Sequence, residues 1–147
     1  SVLFLGRHVG YPVAMEGALK LKELAYIHAE GFAAGELKHG PIALIDAGQP
    51  VFVVVPSPDA PHALHQKVVS NIQEIRARGA RTLVIAHDGD DEVTAYASEV
   101  IRIPTCPPLL APLLAVVPLQ VFALELSRAK GLDVDQPRNL AKSVTVE

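Results

Sequence analysis

The sequence contains little that could cross-link the chain and little that would attract a polyanion. Its single cysteine, Cys106, cannot form an internal disulfide and cannot by itself build a thiolate metal site. The 13 basic residues are scattered and the formal net charge is -3, which argues against a nucleic-acid partner. The first residues do not show the basic segment, apolar stretch and cleavage site of a secretory signal. We therefore predict a cytoplasmic location and no metal or other cofactor.

The chain does contain enough apolar material for one core. Of its 147 residues, 50% are hydrophobic and 20% are charged, which is typical of a single globular domain. The stretch from Leu109 to Leu126 is apolar and close in length to a membrane span. Because Pro112, Pro118, Gln120 and Glu125 interrupt it, we predict no membrane segment there. We interpret this stretch as a helix buried in the core or in a subunit interface.

Short apolar runs alternate with helical patterns along the chain. Buried strands are predicted at Val2 to Leu5, Val51 to Val55, Leu83 to Ala86 and Val100 to Ile103. Helices are predicted from about Pro12 to Glu30, Pro61 to Arg78 and Leu109 to Lys130. This alternation predicts an α/β fold with a doubly wound parallel sheet.

Two further expectations follow from that fold class. Ligands of doubly wound sheets bind beyond the carboxyl ends of the strands, so we expect a site after Leu5, Val55 or Ala86. Such sheets commonly have about five strands or more. Only four strands are recognisable in the sequence, so we expect that an element preceding Ser1 is missing.

The first predicted helix carries ionisable groups on one stripe. Glu16, Lys20 and Glu23 are spaced by four and then three residues, which places them on one face of a helix. Such a stripe is more often a solvated face with weak ion pairs than a site. A site of acid-base chemistry is the alternative interpretation.

Two other segments could place reactive groups. In the glycine-interrupted stretch from Gly31 to Pro41, His39 falls on a bend, where its imidazole could move protons or could simply be exposed. In the tail from Asp133 to Glu147, Lys142 is surrounded by apolar residues. Burial would lower the pKa of its amine, as imine formation requires, although tails are more often frayed.

Three motifs together carry a resemblance that no single residue does. The segments EGALKLKE (16–23), IHAEGFAAGELKHGP (27–41) and DVDQPRNLAKSVTVE (133–147) resemble the second sugar-isomerase lobe of the glutamine-fructose-6-phosphate aminotransferase family. The resemblance implies a three-layer, flavodoxin-like SIS fold over residues 1–130, followed by an irregular active-site tail over 131–147. It also implies a homodimer that binds fructose 6-phosphate and glucosamine 6-phosphate, with a glutaminase domain and a first SIS lobe absent from this chain.

The same resemblance implies a role for each matching residue. Glu23 would move a proton between the first two sugar carbons, and Lys20 would stabilise developing oxyanion charge. His39 would open the sugar ring from the partner subunit. Lys142 would form an imine with the open-chain carbonyl.

The resemblance also places Asn139 and Ala141 in the segment that wraps the sugar. In the family the phosphate group is held mainly by hydroxyl-rich loops of the first lobe, and no such loop follows a strand here. The chain alone is therefore expected to be inactive. The alternative is a phosphosugar-binding or dimerisation module without catalysis, because one fold can serve several functions.

Overall fold

The chain folds around one parallel sheet. The structure, a computed structural model, describes residues 1–57 and 59–140. Five strands, β1 (Val2–Gly6), β2 (Ala29–Ala33), β3 (Pro50–Val54), β4 (Arg81–His87) and β5 (Glu99–Ile103), lie in the order β2-β1-β3-β4-β5. Every neighbouring pair is parallel. This order is that of a flavodoxin-like sheet, so the predicted fold class is confirmed.

Helices cover both faces of the sheet. Helices α1 (Gly10–Ala25) and α3 (Ala111–Ala129) pack on one face around Phe4, Phe52 and Leu119. Helix α2 (His62–Arg76) covers the other face, where Leu5 and Ile72 are fully buried. The central strands are rich in β-branched residues and are buried on both faces, as their uninterrupted apolar runs predict. Three layers result.

The strand β2 was not predicted, and the helix predicted to run to Glu30 is wrong at its carboxyl end. Helix α1 ends at Ala25, because Tyr26 adopts a left-handed conformation with φ 55° and ψ 39°. The next residues, AEGFA, lack an apolar run because β2 is an edge strand whose only sheet neighbour is β1. The fifth strand therefore comes from inside the chain, from a segment that the sequence pattern assigned to a helix and a bend.

Close packing fixes the position of α1 on the sheet. A Cβ atom at Gly17 would lie 2.6 Å from Cδ1 of Leu119 and 3.0 Å from the Phe4 ring. At Gly31 in β2, a Cβ would lie 2.7 Å from the backbone of Met15. Distances below about 3.0 Å do not occur between real Cβ atoms and their neighbours. These two glycines therefore let α1 approach both α3 and β2 closely.

Helix α3 is buried on one side only. Its inner residues Ala115, Leu119 and Ala123 are buried, whereas Leu113 and Val117 are 67% and 49% exposed. With 19 residues and few charged side chains, α3 is long and apolar enough to cross a membrane. The core helices of water-soluble proteins meet the same criterion, so this finding does not separate the two cases. The absence of a membrane segment stays a prediction.

Candidate active site

A cavity of about 480 Å³ opens where the end of α1 meets the carboxyl-terminal tail. Helix α1 and the connection to β2 form one wall, and the described part of the tail forms the other. The residues that line the cavity are Lys22, Glu23, Tyr26, Ile27, His28, Arg138, Asn139 and Leu140. All three segments that carried the resemblance therefore contribute to this cavity, although the tail is far from the other two in the chain.

The acidic and basic groups of α1 form one cluster beside this cavity. The ammonium of Lys20 donates a hydrogen bond to Oε2 of Glu23 at 2.5 Å and lies 3.4 Å from Oε1 of Glu16. The hydrogen bond to Glu23 is the largest cause that raises the pKa of Lys20 above its ordinary value, and partial burial opposes it. Lys20 is therefore a cation at neutral pH. The predicted single face for these residues is confirmed, because all three side chains meet.

Glu23 lines the cavity and is paired with Lys20 at the same time. Its side chain is 27% exposed, it lines the cavity, and one of its oxygens is held by Lys20. A carboxylate held in this way can accept a proton at a defined position, which is the geometric requirement for a general base. Among residues 1–57 and 59–140, no group of three or more His, Cys, Asp or Glu side chains could hold a metal ion.

The tail is attached to α1 by a clamp formed by Tyr26 and Arg138. The backbone N–H of Arg138 donates to the Tyr26 hydroxyl at 2.8 Å, and the Arg138 guanidinium lies 4.1 Å from the centre of the Tyr26 ring. Nearby, Lys130 donates to the backbone carbonyl of Ala25 at the end of α1. Cation–π contacts and single hydrogen bonds each contribute about 0.5–1.5 kcal/mol. Together they hold the tail against α1 next to Glu23.

The sequence did not indicate this clamp. Tyr26 is a bulky residue at positive φ, a conformation that costs about 1–2 kcal/mol and is uncommon outside glycine, asparagine and aspartate. Its ring is directed to the tail by this backbone conformation at the end of α1. No local sequence pattern predicts a contact with a residue 112 positions away.

The structure places Asn139 in the cavity and leaves two of the predicted residues undescribed. Asn139 lies directly after the clamp, has φ 62° and lines the cavity with Leu140. Asparagine tolerates this left-handed conformation better than most residues do. Ala141 and Lys142 lie outside the described residues, so their predicted roles stay predictions.

His39 lies at the other end of the sheet from Glu23. It ends a short 3₁₀ helix, Leu37–His39, that follows the carboxyl end of β2, and its side chain is exposed. Glu23 precedes the amino end of β2, whose five residues span about 16 Å at about 3.3 Å per residue. The structure therefore does not bring His39 to the Glu23 cavity within one chain.

The cavity is also at the opposite edge from the one that the fold class predicted. His28 lines it, and the backbone carbonyl of His28 accepts a hydrogen bond from Val2 at the start of β1. All strands are parallel, so this is the amino edge of the sheet. The expectation of a site after Leu5, Val55 or Ala86 does not hold for the Glu23 cluster. The reason is that its residues are on the last turns of α1, which runs back from the carboxyl edge.

Comparison with known proteins decides the family. The profile of the SIS domain matches residues 1–128. The chain belongs to the SIS domain family. The match extends from β1 into α3, the same part of the chain that forms the parallel sheet and its helices. The SIS fold predicted from the resemblance is therefore confirmed.

Relatives of this SIS domain are longer proteins. Over all 147 residues it is 78% identical to the glutamine–fructose-6-phosphate aminotransferase [isomerizing] of Leifsonia xyli and 74% identical to that of Streptomyces coelicolor. The chain spans 24% of the length of each of these two proteins. The SIS domain is thus similar to a part of each, and the match includes the whole tail.

Solved structures agree with the sequence relatives. The C-terminal domain of glucosamine-fructose-6-phosphate aminotransferase from Francisella tularensis superposes with a TM-score of 0.84 and 41% identity, over 92% of this SIS domain and 37% of that chain. A tagatose-6-phosphate ketose/aldose isomerase from Escherichia coli gives a TM-score of 0.75 with 28% identity, over 91% and 37% of the two chains. Both names describe chemistry on phosphorylated sugars.

Proposed function

We propose that this chain is the carboxyl-terminal isomerase lobe of a cytoplasmic enzyme that forms glucosamine 6-phosphate from fructose 6-phosphate and glutamine-derived ammonia. The observation that carries the proposal is the Lys20–Glu23 pair beside a cavity whose other wall is the tail. The 78% identity to an aminotransferase over the full chain supports the same conclusion. Residues 131–147 act as the active-site tail of this lobe.

In this proposal the tail supplies the amine that activates the sugar. The Lys142 amine attacks the open-chain C2 carbonyl of fructose 6-phosphate and water leaves, which gives an imine. Ammonia then displaces the lysine from that carbon. Lys142 follows Leu140, which lines the cavity, by two residues in sequence.

Glu23 then carries the proton that converts ketose into aldose. Its carboxylate removes a proton from C1 and returns it to C2, so that the double bond moves and C1 becomes the aldehyde. Lys20 stabilises the negative charge that develops on oxygen during this transfer, which its raised pKa supports because the group stays charged. Asn139 and Ala141 contact the sugar from the tail.

The proposal requires a second subunit. His39 opens the sugar ring, but it lies at the carboxyl edge of the sheet, about 16 Å in strand length from the edge that holds Glu23. We therefore place the His39 of one subunit in the cavity of another. The glutaminase domain and the first SIS lobe, which holds the sugar phosphate group, are further parts of the proposed enzyme.

The test uses the full-length protein that contains this chain. Lys142→Arg keeps the positive charge but cannot form the imine, so glucosamine 6-phosphate synthesis should fall to background while glutamine hydrolysis persists. The control is Lys130→Arg, which retains a donor for the Ala25 carbonyl and should stay close to the wild-type rate. Normal synthesis by the Lys142→Arg protein would contradict the proposal.

A second candidate function is assembly without chemistry. The exposed outer face of α3, with Leu113 and Val117, favours contact with another protein surface. A pure assembly module has no use for Lys142, so the same variant separates the two functions. Full activity of that variant would favour assembly.

A further inference from the structure

The loop that carries His39 contacts helix α2 through polar side chains. The loop follows β2 and ends in the short 3₁₀ helix Leu37–His39. Ala34 and Leu37 are fully buried and anchor the loop in the core, whereas Lys38 and His39 are exposed. Apolar anchors set the depth of the loop but not the direction of its exposed side chains. The orientation of the exposed turn therefore depends on its polar contacts with α2.

Arg7 forms the first link between α2 and this loop. Its Nε donates a hydrogen bond to Oδ1 of Asn71 at 3.1 Å, and Asn71 is only 3% exposed. A Cβ atom at Gly35 would lie 3.1 Å from Nη1 of Arg7, so the backbone of the loop lies close against the guanidinium. The first part of the loop therefore rests on a side chain that α2 holds in place.

Lys38 and Glu74 form the second link, one residue before His39. The ammonium of Lys38 lies 2.8 Å from Oε1 of Glu74, and the Ser70 hydroxyl donates to the same oxygen at 3.2 Å. Within the described part of the chain, Lys38 is the one cation paired with this carboxylate, whose Oε2 is buried without a hydrogen-bond partner. Because Ser70 lies one helical turn from Glu74, the carboxylate is fixed on α2. The ion pair therefore ties the turn that carries His39 to a rigid helix.

We infer that Glu74 is a positioning residue for the proposed ring opening, because it holds Lys38 against α2 and so orients the adjacent His39 toward the site of a second subunit. The inference rests on the function proposed for His39. Ring opening breaks the bond between C2 and the ring oxygen, and that oxygen gains the proton that the C2 hydroxyl loses. An imidazole that moves this proton must come within about 2.6–3.2 Å of the oxygen atoms, so rotation of the turn lowers the rate. Glu74 takes no part in the proton transfer itself.

The experiment compares two sugars in the full-length protein that contains this chain. Fructose 6-phosphate must be opened, whereas 5-deoxyfructose 6-phosphate lacks the hydroxyl that closes the ring and stays open-chain. Glu74→Ala should lower kcat/KM for fructose 6-phosphate about threefold to fivefold, as expected for a partly exposed ion pair, and leave the open-chain sugar unaffected. Glu74→Gln keeps the shape of the side chain and should give a smaller loss with the same selectivity. An equal loss with both sugars, or no loss with either, would overturn the inference.

Two further variants separate this inference from the function on which it rests. Glu99→Gln breaks an exposed ion pair with Arg81 at the amino edge and should leave both sugars unaffected. His39→Asn should slow the reaction of fructose 6-phosphate far more than that of the open-chain sugar. Equal slowing of both sugars by His39→Asn would contradict the ring-opening function itself. Selective slowing by His39→Asn without any effect of Glu74→Ala would contradict only the positioning by Glu74.

Discussion

The two edges of this sheet carry different kinds of sites. At the amino edge, Glu23 and Lys20 form a tight pair next to a tail that is clamped to α1. At the carboxyl edge, Arg7 and Lys67 line an open cleft and His39 is exposed on a short turn. The first edge has the fixed geometry that proton transfer needs, and the second has charge without an acid-base pair. The Lys20–Glu23 pair therefore lies at the edge opposite to the one where ligands of this fold usually bind.

The largest effect is expected from complementation between two inactive full-length proteins, which tests whether the two edges meet across subunits. Glu23→Gln and His39→Asn should each reduce glucosamine 6-phosphate synthesis by about 10²-fold or more, because each removes a general acid-base group. If the two edges meet only across subunits, a mixed dimer has one site with both groups intact. Random mixing should then restore about a quarter of the wild-type rate, as expected for a twofold-symmetric dimer with two sites.

Co-expression of the two variants with different affinity tags measures this restoration. Glutamine hydrolysis serves as the control that each protein is folded. A mixed preparation as inactive as the single variants would contradict the shared site.

A middle-sized effect is expected from the clamp at the amino edge. Tyr26→Phe keeps the ring under Arg138 but removes the hydroxyl that accepts the Arg138 N–H. One hydrogen bond contributes about 0.5–1.5 kcal/mol, so kcat/KM for synthesis should fall roughly threefold to tenfold. The rate at which borohydride traps a sugar imine on Lys142 should fall in parallel.

The matched control for this variant is Tyr11→Phe, on the first turn of α1 and away from the cavity. It should leave trapping and synthesis unchanged. If Tyr26→Phe lowers the melting temperature but leaves the trapping rate intact, the clamp is structural and does not position the tail.

The smallest effect concerns the protonation of Lys20. The hydrogen bond from Lys20 to Glu23 is the main cause that raises the pKa of the amine above 10.5, so Glu23→Gln should lower that pKa. The raised pKa means that the folded state binds the proton more tightly than the unfolded chain does. Its stabilising effect is therefore complete below pH 10.5 and disappears as the pH rises through the folded-state pKa.

Titration of the Lys20 Nζ signal by NMR measures this change in both proteins. Glu30→Gln, which removes an exposed carboxylate from β2, is the control and should not move it. An unchanged Lys20 pKa in the Glu23→Gln protein would contradict the assigned cause.

The sequence predicted the parts of this molecule that depend on local periodicity. The strands β1, β3, β4 and β5 contain apolar runs, and the cluster of Glu16, Lys20 and Glu23 follows from helical spacing, so both were predicted correctly. The edge strand β2 was missed because AEGFA is half exposed and carries no apolar run.

The position of the site could not be predicted from such patterns. Parallel α/β folds bind ligands at the carboxyl edge, whereas the Glu23 cluster lies at the amino edge, so the expected ligand site after the strands stays a prediction. What brings the tail to α1 is the left-handed Tyr26 and its contacts with Arg138, which depend on tertiary structure alone. Only the resemblance, through its motifs in α1 and in the tail, linked the two segments beforehand.

The glycine in the middle of α1 links the position of the Lys20–Glu23 pair to the packing of α1 against α3 and the sheet. Gly17 is six residues from Glu23, about 9 Å along a helix, and a Cβ atom there would first meet Cδ1 of Leu119 and the Phe4 ring. A methyl group there would crowd both side chains, so either Leu119 and Phe4 repack or α1 shifts, and in the second case the Glu23 carboxylate moves with the helix. A substitution at position 17 could in this way displace Glu23 without touching the cavity that Glu23 lines.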